Sequence, residues 1–256
     1  MGRFAGLCVW VTGAGSGIGR AIALGFAAEG ARVALTGRRV EALAATRAMA
    51  AEPERLLLAP ADVADAEQVA AAHAGVVAGL GDPAILVNNA GLNVPARHWR
   101  DLDPAGTAAV IDADLKGPFL CSRLVLPAMR RAGGGTLIHI ASQSGVAIHP
   151  VAGAAYSAAK HGVVAMSALL NAEEGVHGIR SVCICPGEVA TEILDTRPRP
   201  PDASARARMA QPEDVAACAL FAAALPARVV VSDLVLAPTD DGFWREEARA
   251  IAAGAR

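Results

Sequence analysis

The sequence predicts a single α/β domain over residues 1–256, a doubly wound parallel sheet with helices on both faces. Three observations carry this. Short runs of Val, Ile and Leu recur without polar alternation, as strands buried on both faces do. Helix-like stretches separate them, which gives βαβ units rather than hairpins. The first strand runs directly into a glycine-rich turn, "TGAGSGIG" from Thr12 to Gly19, that opens a helix.

The elements follow in order. "LCVWVTG" is a strand leading to a helix near Ile18 to Glu29. "ARVALTG" leads to a helix from Glu41 to Ala51. "RLLLAPADV" precedes a helix from Ala66 to Ala78, and "AILVNNAG" is the fourth strand. A long helical region after Pro104 is broken near "KGPF". "GTLIHIAS", a helix carrying Tyr156, "IRSVCICPG", a helix from Pro212 to Ala224 and the strand "RVVVSDLVLAP" complete the chain. "TRPRPPDASARAR", Thr196 to Arg208, reads as a long loop inside the one domain.

Apolar residues make up 54% and charged residues 19%, enough for a large core and contrary to disorder. A net charge of -2 offers no field for nucleic acid and no basic patch for a membrane surface. The glycine turn comes too early for a signal peptide, and the longest uncharged apolar stretch, Val215 to Ala227, is too short to span a bilayer. A cytoplasmic protein is expected. Five cysteines without framework spacing, with Cys183 and Cys185 on one face of a strand, read as buried reduced thiols rather than a metal site or disulfides.

In the turn, Gly13, Gly17 and Gly19 are spaced G-x-x-x-G-x-G. Glycines let the backbone approach a ligand, and a helix N-terminus attracts a pyrophosphate. Strand, turn and helix together give the setting of a Rossmann-like dinucleotide site. The second strand should end near Gly37. An acid there would accept from the adenosine ribose and select NAD. Gly37, Arg38 and Arg39 stand there instead, and a guanidinium can grip a 2′-phosphate. NADP is therefore favoured, with NAD possible. Arg38 and Arg39 also suit the solvated start of a helix.

Tyr156 is the only tyrosine, and Lys160 follows four residues later in "AAYSAAKHG". On a helix the two point into one space. A free phenol, with a pKa of about 10, is a poor base near neutral pH. A nearby ammonium favours the phenolate, so the pair can form a tuned acid/base. Ser142 ends "TLIHIAS", at the carboxyl end of a parallel strand where open α/β sheets place ligands. It can hold a substrate oxygen beside the phenol, with Ser144 as an alternative.

These motifs in this order resemble the short-chain dehydrogenase/reductase family, in its compact single-domain branch. "TGAGSGIG" matches the family's cofactor turn with Gly13, Ser16, Gly17, Ile18 and Gly19. "ADV" matches the adenine-side motif with Asp62 and Val63. "NNAG" matches the motif ending the fourth strand with Asn89, Ala90 and Gly91. Ser142, Tyr156 and Lys160 match the catalytic residues. "PGEVAT" matches the nicotinamide motif with Pro186, Gly187, Val189 and Thr191. The resemblance implies hydride exchange between a nicotinamide cofactor and a secondary alcohol or ketone. In it, Tyr156 moves the proton, Lys160 lowers the phenol's pKa and binds ribose, and Ser142 orients the substrate oxygen.

Two features depart from the family. Its usual asparagine before "LKG", which holds a proton-relay water, is replaced by Asp114. The C-terminal "ARVVVSDLVLAPTDDGFW" resembles the branch containing serine and 3-hydroxy acid dehydrogenases. The loop at about 191–211 is expected to cover the substrate, and its Arg197, Arg199, Arg206 and Arg208 face only Asp202 between residues 197 and 208. They can grip an acidic substrate, such as a hydroxy acid or 3-oxo acid, or simply be solvated. Gln143, His149 and Glu188 are candidates for the pocket wall, while His73 and His161 read as plain helix residues. The family also implies a homotetramer, or a homodimer. Two other readings are a non-catalytic NADP-sensing protein of this fold, which the intact triad argues against, and the epimerase branch, whose extra substrate domain is lacking.

Overall fold

The computed structural model describes residues 2–197 and 199–239. Seven parallel strands form one sheet in the order β3-β2-β1-β4-β5-β6-β7. They are β1 Cys8–Thr12, β2 Arg32–Thr36, β3 Leu56–Leu58, β4 Ile85–Asn88, β5 Gly135–Ile140, β6 Ile179–Pro186 and β7 Asp233–Leu236. The order reverses between β1 and β4, which is the switch point where such sheets bind ligands.

Helices cover both faces, as the unbroken apolar strands require. On one side α1 (Gly17–Ala28) and α8 (Pro212–Ala224) pack in a core with Val9, Val11, Val33, Leu35, Val87 and Ile184. On the other, α3 (Ala66–Leu80) and α5 (Gly117–Ala132) close over Trp10, Leu86 and Leu137. Trp10 is wholly buried, and its ring N–H donates to Thr36 Oγ1 at 2.8 Å, so its polar atom is satisfied. Two further helices, α2 (Val40–Ala48) and α6 (Ala154–Glu174), follow β2 and β5.

Three expectations change. The helical region after Pro104 is not broken at "KGPF". Between α4 (Pro104–Ile111) and α5 it widens into one π-helical turn, Asp112–Lys116. Pro118 comes just after that turn and, lacking an N–H, donates no bond to the preceding helical carbonyls. The last strand is shorter than "RVVVSDLVLAP". Arg180 donates to the carbonyls of Ala223, Leu225, Pro226 and Val229 at 2.7–3.0 Å, which diverts this segment from the ladder until Asp233. The Thr196 to Arg208 stretch is not all loop. It begins at the last residue of a 3₁₀ turn, Glu192–Thr196, and contains α7, Ala203–Ala207, where the Asp202 side chain accepts from the Ala205 amide.

Cys8, Cys121, Cys183 and Cys185 are buried free thiols and Cys218 is partly buried. The ligand atoms of Cys183, Cys185 and Asp233 lie within 4.8 Å of one another. No helix among the described residues is long and apolar enough to cross a membrane.

Candidate active site

A cleft of about 590 Å³ runs along the carboxyl ends of the strands. Behind its wall, buried Thr12 Oγ1 accepts from the amides of Asn89 and Ala90, each at 3.0 Å, and Asn89 Nδ2 donates to the carbonyl of Thr12 at 3.0 Å. These bonds tie the end of β4 to the glycine turn. Gly13 and Gly17 adopt φ of 65° and 48°, the left-handed region that glycine occupies without strain. Ser16 at the N-cap of α1 gives its amides no side-chain cap, and no acid stands in the first turn. Open amides at a positive helix end fit a pyrophosphate.

All of the residues that sequence reasoning assigned to cofactor or chemistry line this cleft, except Gly19. Gly19 is buried in packing. A Cβ there would lie 2.2 Å from the Gly13 carbonyl oxygen and 2.3 Å from Asn89 Nδ2. It allows α1 to press against the glycine turn and Asn89.

Beyond the end of β2, Arg38 is largely exposed and Asp62 faces it at 4.0 Å. Asp62 Oδ1 also accepts from the amide of Ala64 at 3.0 Å. At the opposite end α6 presents Tyr156 and Lys160. Lys160 Nζ lies 5.4 Å from the centre of the phenol ring and donates to the Ile140 carbonyl at 3.1 Å. Asp114, on the π-helical turn and 0% exposed, brings Oδ2 to 3.2 Å from the same nitrogen. The contact is an ion pair buried beside the phenol. Its Oδ1 accepts from the amide of Leu92 at 2.7 Å. Gly91 leaves room for the carboxylate, since a Cβ there would sit 2.9 Å from Oδ2. Ser142 follows β5, and its Oγ accepts from the amide of Ser144 at 3.1 Å. Ser144 itself is buried and does not line the cleft.

Residues 7–201 match the family described as short chain dehydrogenase. The chain belongs to that family. It is an oxidoreductase. It is 38% identical to a galactitol 2-dehydrogenase (L-tagatose-forming) from Cereibacter sphaeroides over 251 residues, 94% of this chain and 96% of the relative. It is 38% identical to a D-threitol dehydrogenase from Mycolicibacterium smegmatis, covering 94% of each chain. Among solved structures, the closed form of a serine dehydrogenase complexed with NADP+ superposes with a TM-score of 0.84 at 30% identity, over 92% of this chain and 96% of that one.

In this short-chain dehydrogenase the electrostatics depart from the sequence expectation. Lys160 does pull the Tyr156 phenol downward, as does a hydrogen bond from Ser142. Burial and the Asp114 carboxylate outweigh them, and the phenol stands above its usual range. Burial pushes Lys160 down, but Asp114 and the phenol outweigh that and hold the ammonium above its usual range. Burial raises Asp114 against the pull of Lys160. The protein alone thus presents a protonated phenol.

The segment at about 191–211 is also not a free basic patch. Arg197 pairs with Glu188 at 2.7 Å, and Arg206 pairs with Asp195, both acids lying outside the residues counted against it. Of the three suggested wall residues, Glu188 lines the cleft while Gln143 and His149 do not. Sequence reasoning missed Arg97, which is 4% exposed and lines the cleft. "VPARHWR" carries no periodic or motif signal around it.

Proposed function

We propose that this dehydrogenase interconverts a secondary alcohol and a ketone, with Tyr156 as the proton-transferring group. The observation that carries this reading is Lys160 beside the Tyr156 ring in the same cleft as Ser142 and the uncapped N-terminus of α1. A bound nicotinamide supplies the hydride acceptor in oxidation and the donor in reduction. Its pyrophosphate suits the amides at Gly13 to Ile18, and its nicotinamide end suits Pro186 to Thr191. Val63 and Asn89 to Gly91 complete the walls.

Ser142 holds the substrate oxygen and Tyr156 exchanges the proton with it. Lys160 supports the phenolate and is positioned by Asp114 and the Ile140 carbonyl. Because the phenol stands above its usual range, it is poised as a donor at neutral pH, which suits ketone reduction. Alcohol oxidation requires the phenolate and should rise toward alkaline pH.

For the coenzyme, exposed Arg38 and the missing carboxylate at Gly37 support NADP over NAD. The residues at about 191–211 serve as the cover of the substrate end, since Thr191, Ile193, Thr196 and Arg197 all line it. The test is an initial-rate screen of ketones and secondary alcohols with NADP and NAD, following reduced nicotinamide absorbance, for wild type and Tyr156→Phe. Tyrosine-dependent turnover supports the reading. Equal turnover by the Phe variant, or none by either protein across the screen, overturns it.

A further inference from the structure

Arg97 is the buried arginine of the described residues, and no described carboxylate answers it. Its donors go to neutral acceptors. Nε reaches the Val94 carbonyl at 2.7 Å, and Nη2 reaches the carbonyl and Oγ1 of Thr196 at 2.7 and 3.0 Å. Nη1 finds only the Val151 carbonyl, at 3.5 Å, which is beyond a good hydrogen bond. A guanidinium held out of water without a counter-charge is costly. A cleft wall is the place where a ligand can supply that charge.

The position of this group is fixed relative to the chemistry. The Arg97 carbonyl accepts from the amide of Ala154, the first residue of α6, two residues before Tyr156. Gly153 packs so closely that a Cβ there would come within 2.6 Å of the Arg97 Cβ. Arg197 lines the same end of the cleft. Burial and repulsion from Arg197 hold Arg97 below its usual range, and Arg197 in turn pulls the phenol down. Glu188 answers Arg197, and Asp114 answers Lys160. The charge of Arg97 is left over.

We propose that Arg97, with Arg197 beside it, holds the carboxylate of a short hydroxy acid or oxo acid whose reacting oxygen lies against Tyr156 and Ser142. This rests on the function proposed above and specifies its substrate class. Guanidinium groups match carboxylates in geometry and charge. In oxidation a bound oxidised nicotinamide would accept the hydride released as the substrate C–H bond breaks. The Tyr156 phenolate takes the hydroxyl proton as the C=O bond forms. The carboxylate is unchanged and departs with the product.

The experiment compares short 2- and 3-hydroxy acids, each with its own primary amide, in the full-length enzyme with NADP. It reads kcat/KM, and it reads binding of the matching oxo acid and oxo amide by calorimetric titration. The acid should be preferred by ~10-fold or more, the value of one partly buried charge pair. The preference should shrink with added salt. Arg197→Gln should lower kcat/KM for the acid several-fold more than for the amide. Arg97→Met should do so more strongly, and Arg197→Gln keeps the test usable if that variant does not fold. Turnover of acid and amide with equal efficiency overturns the inference and leaves the hydride reading intact. Tighter binding of the acid without turnover supports the inference and overturns the hydride reading. Binding of neither ligand overturns the inference.

Discussion

Asp114 and Lys160 form an ion pair beside the Tyr156 phenol, with Oδ2 3.2 Å from Nζ and the carboxylate wholly buried. A buried carboxylate this close stabilises the ammonium and opposes ionisation of Tyr156. The π-helical turn sets this contact, because it carries Asp114 between two helices that would otherwise continue one register.

The first prediction concerns this pair. Asparagine keeps an acceptor for the Leu92 amide and removes the charge. Asp114 raises the phenol's pKa, so Asp114→Asn should lower it. The midpoint at which kcat/KM for alcohol oxidation rises with pH should therefore move down. A pH profile of both proteins checks this, and an unmoved or raised midpoint would refute the charge argument.

Tyr156→Phe should reduce turnover by ~10²–10⁴-fold, the usual contribution of positioned proton transfer. Coenzyme affinity should hardly change, because the open amides of α1 proposed to hold the pyrophosphate do not involve the hydroxyl. Fluorescence titration of the reduced coenzyme gives the second quantity. A large loss of affinity would show that the phenol mainly shapes the cofactor site.

Coenzyme choice should reverse on replacing two residues. Gly37 has an ordinary backbone conformation, and a Cβ there would meet only Leu43 Cδ2 at 3.4 Å, so aspartate fits. Gly37→Asp combined with Arg38→Leu should favour NAD, since a carboxylate repels a 2′-phosphate and accepts from a free ribose. Wild type should bind NADP more tightly. Tighter NAD binding by wild type would end this argument.

Arg180→Ala should destabilise the fold by about 2–4 kcal/mol, since four carbonyls of the segment from Ala223 to Val229 lose a shared charged donor. Urea unfolding measures it. A loss under about 0.5 kcal/mol would mean that water replaces the guanidinium fully.

A homotetramer is expected from the family and from the apolar surface left outside. Phe119 on α5 and Leu169 on α6 are 53% and 57% exposed. Both helices thus present large apolar groups that a second copy can bury. Light scattering at micromolar concentration should give four chains. A monomer mass would leave these residues without a partner of this kind.

The sequence by itself determined the alternation of strands and helices, the glycine turn, and the Tyr156–Lys160 spacing. Each is a local property: strand burial follows from unbroken apolar runs, and side chains four apart on a helix share a face. Ser142 was expected from its place at the carboxyl end of a strand, and Asn89 and Thr191 only through the family resemblance; all three line the cleft. Only the tertiary structure decided that Gly19 serves packing, that Arg197 and Arg206 are already paired, and that the phenol stands above its usual range. It alone brought Arg97 to Thr196 across 99 residues of chain, and it set at 3.2 Å the Asp114–Lys160 contact that the family resemblance implied. Such contacts depend on how separate elements dock, and no periodicity encodes them. The net pKa also depends on how deeply each group is buried, which is fixed only when the helices close over the sheet.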